Sequence, residues 1–140
     1  MALIEMEATR VLVVDDSAHL RHTLRDSLDA GGMECAMADS GEAALALCQE
    51  RTFDIVLMDV NMPGMNGLEA VSQIRKLSHM LTIPVFIVSS DTSEDLRKQG
   101  KRVGVTAWIR KPYNPEMVIK GIQQVLNGPA MPSLWPPRAS

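Results

Sequence analysis

Charged and hydroxyl side chains follow several apolar runs of this sequence, and their types point to metal and phosphate chemistry. They are Asp15 and Asp16 after RVLVV, Asp59 at the end of DIVLMD, Ser89 at the end of IPVFIVS, and Lys111 after VTAWIR. Carboxylates that crowd together raise one another's pKa unless a cation neutralises them. A lysine adds a point charge for a phosphoryl oxygen, and a serine hydroxyl adds a small donor.

Magnesium is the cation that such a group of acids favours. Mg²⁺ prefers octahedral oxygen coordination, keeps several waters, and is typically held by one or two carboxylates together with phosphate oxygens. Asp16 and Asp59 would bind it directly, a backbone carbonyl just past Asp59 would add an oxygen, and Asp15 would act through water. A carboxylate nucleophile, a metal, a lysine and a hydroxyl are the parts that an aspartyl phosphate requires.

The elements that must position these residues alternate along the chain. Short β-branched runs separated by helix-like segments are typical of βα units around a parallel sheet. The runs predict strands over 10–14, 33–38, 53–59, 83–90 and 105–110, and helices ending at 31–32 and spanning 40–50, 67–77, 91–104 and 114–128. Ligands of an open α/β sheet bind beyond the carboxyl ends of its strands, so the polar residues should meet there.

The fourth predicted helix differs from the others in having almost no apolar face. Leu96 and Val103 are nearly its only apolar residues, Gly100 interrupts it, and most of its length is charged. We therefore expect this helix to be shallowly packed and comparatively mobile.

Composition is typical of one globular domain of 140 residues, with 46% hydrophobic residues and a formal net charge of −3. We predict an N-terminal extension over 1–8, a domain over 9–128, and a proline-rich tail or truncated linker over 129–140. The acidic balance disfavours a general nucleic-acid binder, and no apolar run approaches the roughly 20 residues of a membrane span. Two cysteines without metal-like spacing and an N-terminus without a secretion signal predict a cytoplasmic protein with reduced thiols.

Four stretches carry a more specific resemblance. VLVVDD, DIVLMDVNMPGMNGLE, PVFIVSS and IRKP occur in this order, and Asp59 follows Asp16 by 43 residues, Ser89 follows Asp59 by 30, and Lys111 follows Ser89 by 22. In order and spacing, residues 9–127 resemble the receiver domain of two-component response regulators, the CheY-like family.

The resemblance implies a flavodoxin-like (βα)5 fold, a doubly wound five-stranded parallel sheet in the order 2-1-3-4-5. It also implies roles for individual residues: Asp59 as phosphoacceptor, Asp15, Asp16, Asp59 and the Asn61 backbone carbonyl as the Mg²⁺ site, Lys111 and Ser89 as phosphate ligands, Ser89 as switch hydroxyl, Trp108 at the aromatic switch position, and a cis Lys111–Pro112 bond. Most relatives carry Tyr or Phe where this chain has Trp108.

The function implied is a phosphorylation-dependent signalling switch rather than an enzyme, although it takes part in its own phosphorylation and dephosphorylation. A sensor histidine kinase or histidine phosphotransfer protein would supply the phosphoryl group. The surface of helix four, strand five and helix five would control an unknown protein target, with a homodimer as an option and no direct contact with nucleic acid or membrane.

Two alternatives stay open at this point. The chain could be a receiver module excised from a larger hybrid kinase or transcription factor. It could instead be a Mg²⁺-dependent phosphohydrolase, which is disfavoured because Asn61 stands where haloacid-dehalogenase-type phosphatases use a second aspartate.

Overall fold

A computed structural model describes residues 8–127, which form five strands, five α-helices and one short 3-10 helix. The strands are β1 (Arg10–Val14), β2 (Glu34–Ala38), β3 (Ile55–Asp59), β4 (Val85–Ser89) and β5 (Ala107–Arg110). The α-helices are α1 (Ala18–Ala30), α2 (Gly41–Glu50), α3 (Gly67–Ile74), α4 (Glu94–Val103) and α5 (Pro115–Asn127), and the 3-10 helix is Ser78–Met80.

The five strands form one parallel sheet in the order β2-β1-β3-β4-β5, which confirms the predicted fold class. β3 and β4 are buried along their whole length, and β1 is buried from its second residue onward. Strands covered on both faces need apolar side chains on both, which explains why their sequences are nearly continuous apolar runs.

The sheet separates two apolar layers. Leu12 and Val14 face a core that includes buried residues of α2 and α3, whereas Val11 and Val13 face one that includes buried residues of α1 and α5. Full burial of one such side chain contributes about 1.5–3 kcal/mol, so both layers hold the sheet in place. The strand tips, where the polar residues stand, are thereby fixed relative to one another.

Several predicted elements are shorter in the structure. β4 begins at Val85 rather than residue 83, because Pro84 lacks the N–H that a ladder requires.

α3 ends at Ile74 rather than residue 77. Beyond it, the Arg75 guanidinium donates hydrogen bonds to four carbonyls that are no part of α3, those of Met80, Leu81, Ile83 and Gly104.

α4 is packed as shallowly as its sequence predicts. Gly100 is its one buried residue, while Leu96 and Val103 are half-buried against the core. Ser93 caps its start by accepting a hydrogen bond from the Leu96 amide, and Gly104 ends it in the left-handed conformation with φ of +88°. Its mobility remains a prediction.

Apart from residue 8, the predicted extension and the predicted tail lie outside the described residues, and the domain boundaries stay predictions. Within 8–127, none of the helices combines the length and apolar character that crossing a membrane demands.

Candidate functional site

Three carboxylates meet at the carboxyl edge of the sheet, where β1 and β3 lie side by side. Oxygens of Asp15, Asp16 and Asp59 all lie within 4.8 Å of one another, a grouping that could hold a metal ion. Asp15 and Asp59 are each 4% exposed, whereas Asp16 is exposed. The prediction that these three acids converge is confirmed.

Lys111 bridges the two buried acids. Its Nζ lies 3.1 Å from Asp15 Oδ2 and 3.4 Å from Asp59 Oδ1. One ammonium group cannot balance three carboxylates, so the cluster keeps a net negative charge. The site is thus arranged to attract a further cation, and the chemistry of its donors, all carboxylate oxygens, suits a hard divalent ion.

Burial raises the pKa of the Asp59 carboxyl to about 6, and the Asp15 charge adds to the rise. Lys111 and the Asn61 backbone amide, which donates to Asp59 Oδ1 over 3.4 Å, lower this pKa but do not cancel the increase. In the absence of a cation, a large share of Asp59 therefore holds a proton near pH 6. Neutralising the cluster would favour the ionised form of Asp59.

This raised pKa predicts a pH-dependent stability in EDTA. The folded pKa of about 6 lies above the ordinary value of 3.8, so the Asp59 carboxyl stays protonated to a higher pH in the native state than in the unfolded chain. Its contribution is fully present below about pH 4 and is lost as the pH rises through 6, by at most about 3 kcal/mol. Urea unfolding between pH 4 and pH 7 measures the loss, which Asp59→Asn should abolish. If the free energy of unfolding of Asp59→Asn fell with pH as steeply as that of the wild type, Asp59 would not be the group with the raised pKa.

Ser89 and Lys111 stand on neighbouring strand tips. Ser89 is fully buried at the end of β4, its backbone carbonyl accepts a hydrogen bond from the Lys111 amide over 2.9 Å, and its hydroxyl oxygen accepts one from the Asp91 amide over 3.0 Å. The Lys111–Pro112 peptide bond is cis, as the resemblance implies. The backbone thus ties the predicted switch hydroxyl to the predicted phosphate-binding lysine.

Asn61 adjoins the acid cluster through its backbone, whereas the Trp108 side chain lies in the apolar core. Asn61 is exposed in the loop after β3 and reaches Asp59 through its backbone amide. Trp108 on β5 is 4% exposed and belongs to the apolar layer of α2 and α3, so its side chain lies in the core and is no part of the acid cluster.

The loop after β3 depends on Gly67, the first residue of α3. A Cβ at this position would collide with the Asp59 carbonyl and would come within 2.9 Å of Val60 Cα. The Gly67 amide meanwhile donates a hydrogen bond to the Val60 carbonyl over 3.0 Å. Glycine permits two backbone segments to approach this closely. The sequence alone indicates a tight turn after β3 but not which backbone atoms Gly67 would meet.

Two residues beside the cluster escaped the sequence analysis. Arg21 of α1 donates a hydrogen bond from Nη1 to the Asp15 carbonyl over 2.7 Å. Tyr113 lies two residues after Lys111, and burial, with the charges of Asp15 and Asp59, raises its pKa to about 12, so the phenol stays neutral. Tyr113 also lines a cavity of about 380 Å³ with Lys111 and residues of α1. Arg21 follows the acid pair closely in the sequence, and Tyr113 closely follows Lys111. This closeness is the signal by which the sequence could have indicated both residues.

A flavodoxin-like sheet with acids gathered at its β1–β3 switch point defines a class of α/β proteins that bind ligands at this edge. The family model described as the response regulator receiver domain matches residues 11–123. The chain therefore belongs to the response regulator receiver domains of two-component signalling.

Relatives and solved structures agree with this membership. The protein PilH of Pseudomonas aeruginosa is 37% identical over 119 residues, which are 85% of this chain and 98% of PilH. The structure of Vibrio cholerae CheY4 matches with a TM-score of 0.83 and 39% identity, covering 86% of this chain and all of that one. CheY in a CheX–CheY–BeF3–Mg²⁺ complex from Borrelia burgdorferi matches with a TM-score of 0.77 and 28% identity, covering 84% and 88%.

Other relatives extend far beyond the matched region. The chain spans 53% and 48% of two transcriptional regulatory proteins that are 30% and 33% identical to it. The receiver fold thus occurs both alone and as part of longer proteins among the relatives of this chain.

Proposed function

We propose that this protein is a signalling switch in which Asp59 accepts a phosphoryl group from a phosphohistidine with Mg²⁺ bound. The observation that carries the proposal is the gathering of three carboxylates within 4.8 Å, with Lys111 Nζ within 3.4 Å of the two buried ones. Asp15 and Asp59 are both buried and both contact Lys111, but the Asp15 carboxylate is engaged by the Ser17 amide as well. We assign the acceptor role to Asp59, which ends β3 and stands where the receiver-domain resemblance places the phosphoacceptor.

Asp16, Asp59 and the backbone carbonyl of Asn61 would hold the metal, and Asp15 would act through water. Bound Mg²⁺ would neutralise the acids and the phosphoryl oxygens as charge develops on them. The CheX–CheY complex of Borrelia burgdorferi was solved with Mg²⁺ and BeF3. This supports our proposal that the present chain binds Mg²⁺ together with a phosphoryl group.

In the transfer step, an Asp59 carboxylate oxygen attacks phosphorus as the phosphorus–nitrogen bond of the donor breaks. The electron pair of that bond stays on the imidazole nitrogen, and the phosphoryl group ends as an acyl phosphate. Lys111 lies where its ammonium can hold the transferring oxygens, so the chain mainly positions the group and balances its charge. The cavity lined by Lys111, Tyr113 and Leu20 offers the donor an approach beside the acids.

The new phosphoryl oxygens would draw Ser89 towards them. This movement would break the hydrogen bond between its hydroxyl and the Asp91 amide, which lies in the loop leading to α4. Because α4 buries only Gly100, it can shift at little cost. Trp108, whose strand β5 pairs with β4, would repack, and the surface of α4, β5 and α5 would then control a protein partner, including a second copy of the chain.

The proposal includes the protein's setting. A sensor histidine kinase or histidine phosphotransfer protein supplies the phosphoryl group, and the free thiols of Cys35 and Cys48 suit the reducing cytoplasm in which we place the switch. The protein regulates its target and assists its own phosphorylation and dephosphorylation without turning over a separate substrate.

Incubation with Mg²⁺ and acetyl phosphate tests the proposal. We expect intact mass spectrometry to show one added phosphoryl group, and peptide mapping to place it on the segment that contains Asp59. EDTA should prevent the labelling, because the acids would then repel the phosphoryl oxygens. Labelling that is insensitive to EDTA, or that maps to another segment, would disprove the proposed site.

A further inference from the structure

Arg21 reaches back from α1 to the loop that carries the acid pair. Its Nη1 donates a hydrogen bond to the Asp15 carbonyl oxygen over 2.7 Å, and the side chain is half-buried. We propose that Arg21 is a positioning residue, which orients Asp16 towards the cation. This inference rests on the proposed function, since it assumes that the acids bind Mg²⁺.

The carbonyl that Arg21 holds belongs to the peptide plane joining Asp15 to Asp16. A peptide unit is planar, so fixing its oxygen also fixes its N–H and the direction in which the next residue leaves it. Asp16 is exposed, and packing therefore does little to orient it. The Arg21 contact supplies this orientation.

The remaining oxygens of Asp15 are engaged as well. The Ser17 amide donates to Oδ1 over 2.9 Å, and Lys111 Nζ donates to Oδ2 over 3.1 Å. With Arg21 on its carbonyl, Asp15 is held at all three oxygens. Asp15 is thus a fixed support beside Asp16 and Asp59, the proposed direct metal ligands.

The charge of Arg21 alone would act against this role. A cation close to the start of a helix opposes the helix dipole, and a cation close to a metal site repels the metal. Arg21 is the fourth residue of α1 and carries a permanent charge. If it acted only through charge, its removal would strengthen Mg²⁺ binding, whereas loss of its hydrogen bond would weaken binding. The two effects have opposite signs, which makes the inference testable.

Titration of the metal-free protein with MgCl2 by isothermal calorimetry distinguishes the two. We expect Arg21→Met, which lacks both donor and charge, to weaken Mg²⁺ binding about tenfold, as is usual when a residue behind a metal ligand is removed. Arg21→Lys keeps a donor and should restore binding to within about threefold of the wild type. Methionine and lysine are unbranched and similar in size, so a purely steric role in packing would not predict a fall in Arg21→Met that lysine reverses.

Arg25 provides the matched control, because it lies one turn further along α1, is also half-buried and carries the same charge. Arg25→Met should bind Mg²⁺ at least as tightly as the wild type. Melting in EDTA checks that each variant folds. If Arg21→Met does not fold, Arg21→Leu, which also lacks both donor and charge, replaces it with the same expected fall.

The outcomes separate the inference from the proposed function. A wild-type protein that binds no Mg²⁺ would contradict the proposed function itself. A wild type that binds Mg²⁺, together with an Arg21 variant that binds it equally or more tightly, would overturn only the positioning role. An equal fall in Arg21→Met and Arg25→Met would also overturn it.

Discussion

Asp59→Asn is expected to lose phosphoryl labelling by acetyl phosphate by about 100-fold or more. An amide lacks the nucleophilic oxygen of a carboxylate, and the loss of a nucleophile is among the most damaging single changes to group transfer. The variant should fold, because asparagine keeps the shape of the side chain and removes a buried charge that the fold accommodates poorly. Intact mass and peptide mapping measure the effect.

Asp39→Asn is the matched control. Asp39 also follows a strand, β2, but it is exposed and lies outside the group of acids whose oxygens converge. This variant should label like the wild type. Labelling of Asp59→Asn at the wild-type level, or a label that moves to the segment containing Asp15 and Asp16 without loss of yield, would show that Asp59 is not the natural acceptor.

The sequence predicted that Asp15, Asp59 and Lys111 would meet, because these residues stand at strand ends. Apolar runs locate the strands, parallel strands place their carboxyl ends at one edge, and the polar residue after each run must then lie at this edge. Asp15, Asp59 and Lys111 meet in the structure for this reason. This prediction uses only the positions of the apolar runs and needs no knowledge of side-chain contacts, which is why it succeeds.

Contacts made by long side chains across the fold were not predictable in the same way. Arg75 donates to the Gly104 carbonyl, 29 residues later in the chain, and Arg21 to Asp15, while Tyr113 lies in the fields of two acids. An arginine on a helix has several rotamers that reach solvent, and only the packed neighbours decide which one forms. The end of α3 was misplaced because leucine and arginine continue a helical pattern past Ile74, while the local backbone turns into the 3-10 helix.

Gly67→Ala is expected to destabilise the fold by about 4 kcal/mol or more. Overpacking a core typically costs about 1–3 kcal/mol because side chains can rotate away, but here the added methyl group meets the backbone of Asp59 and Val60. Relief requires that β3 and α3 separate, which would move Asp59 out of the cluster. Urea unfolding should therefore show the loss of stability, and any folded fraction should bind Mg²⁺ more weakly.

Gly121→Ala separates this effect from the general cost of replacing a glycine. Gly121 lies within α5, where a Cβ would meet the Phe86 ring at 3.5 Å, an ordinary contact distance. Alanine is the better helix former by about 1 kcal/mol, so this variant should be as stable as the wild type or more so. Equal stability of Gly67→Ala and Gly121→Ala would show that the loop after β3 can yield, and that close backbone approach at Gly67 does not position Asp59.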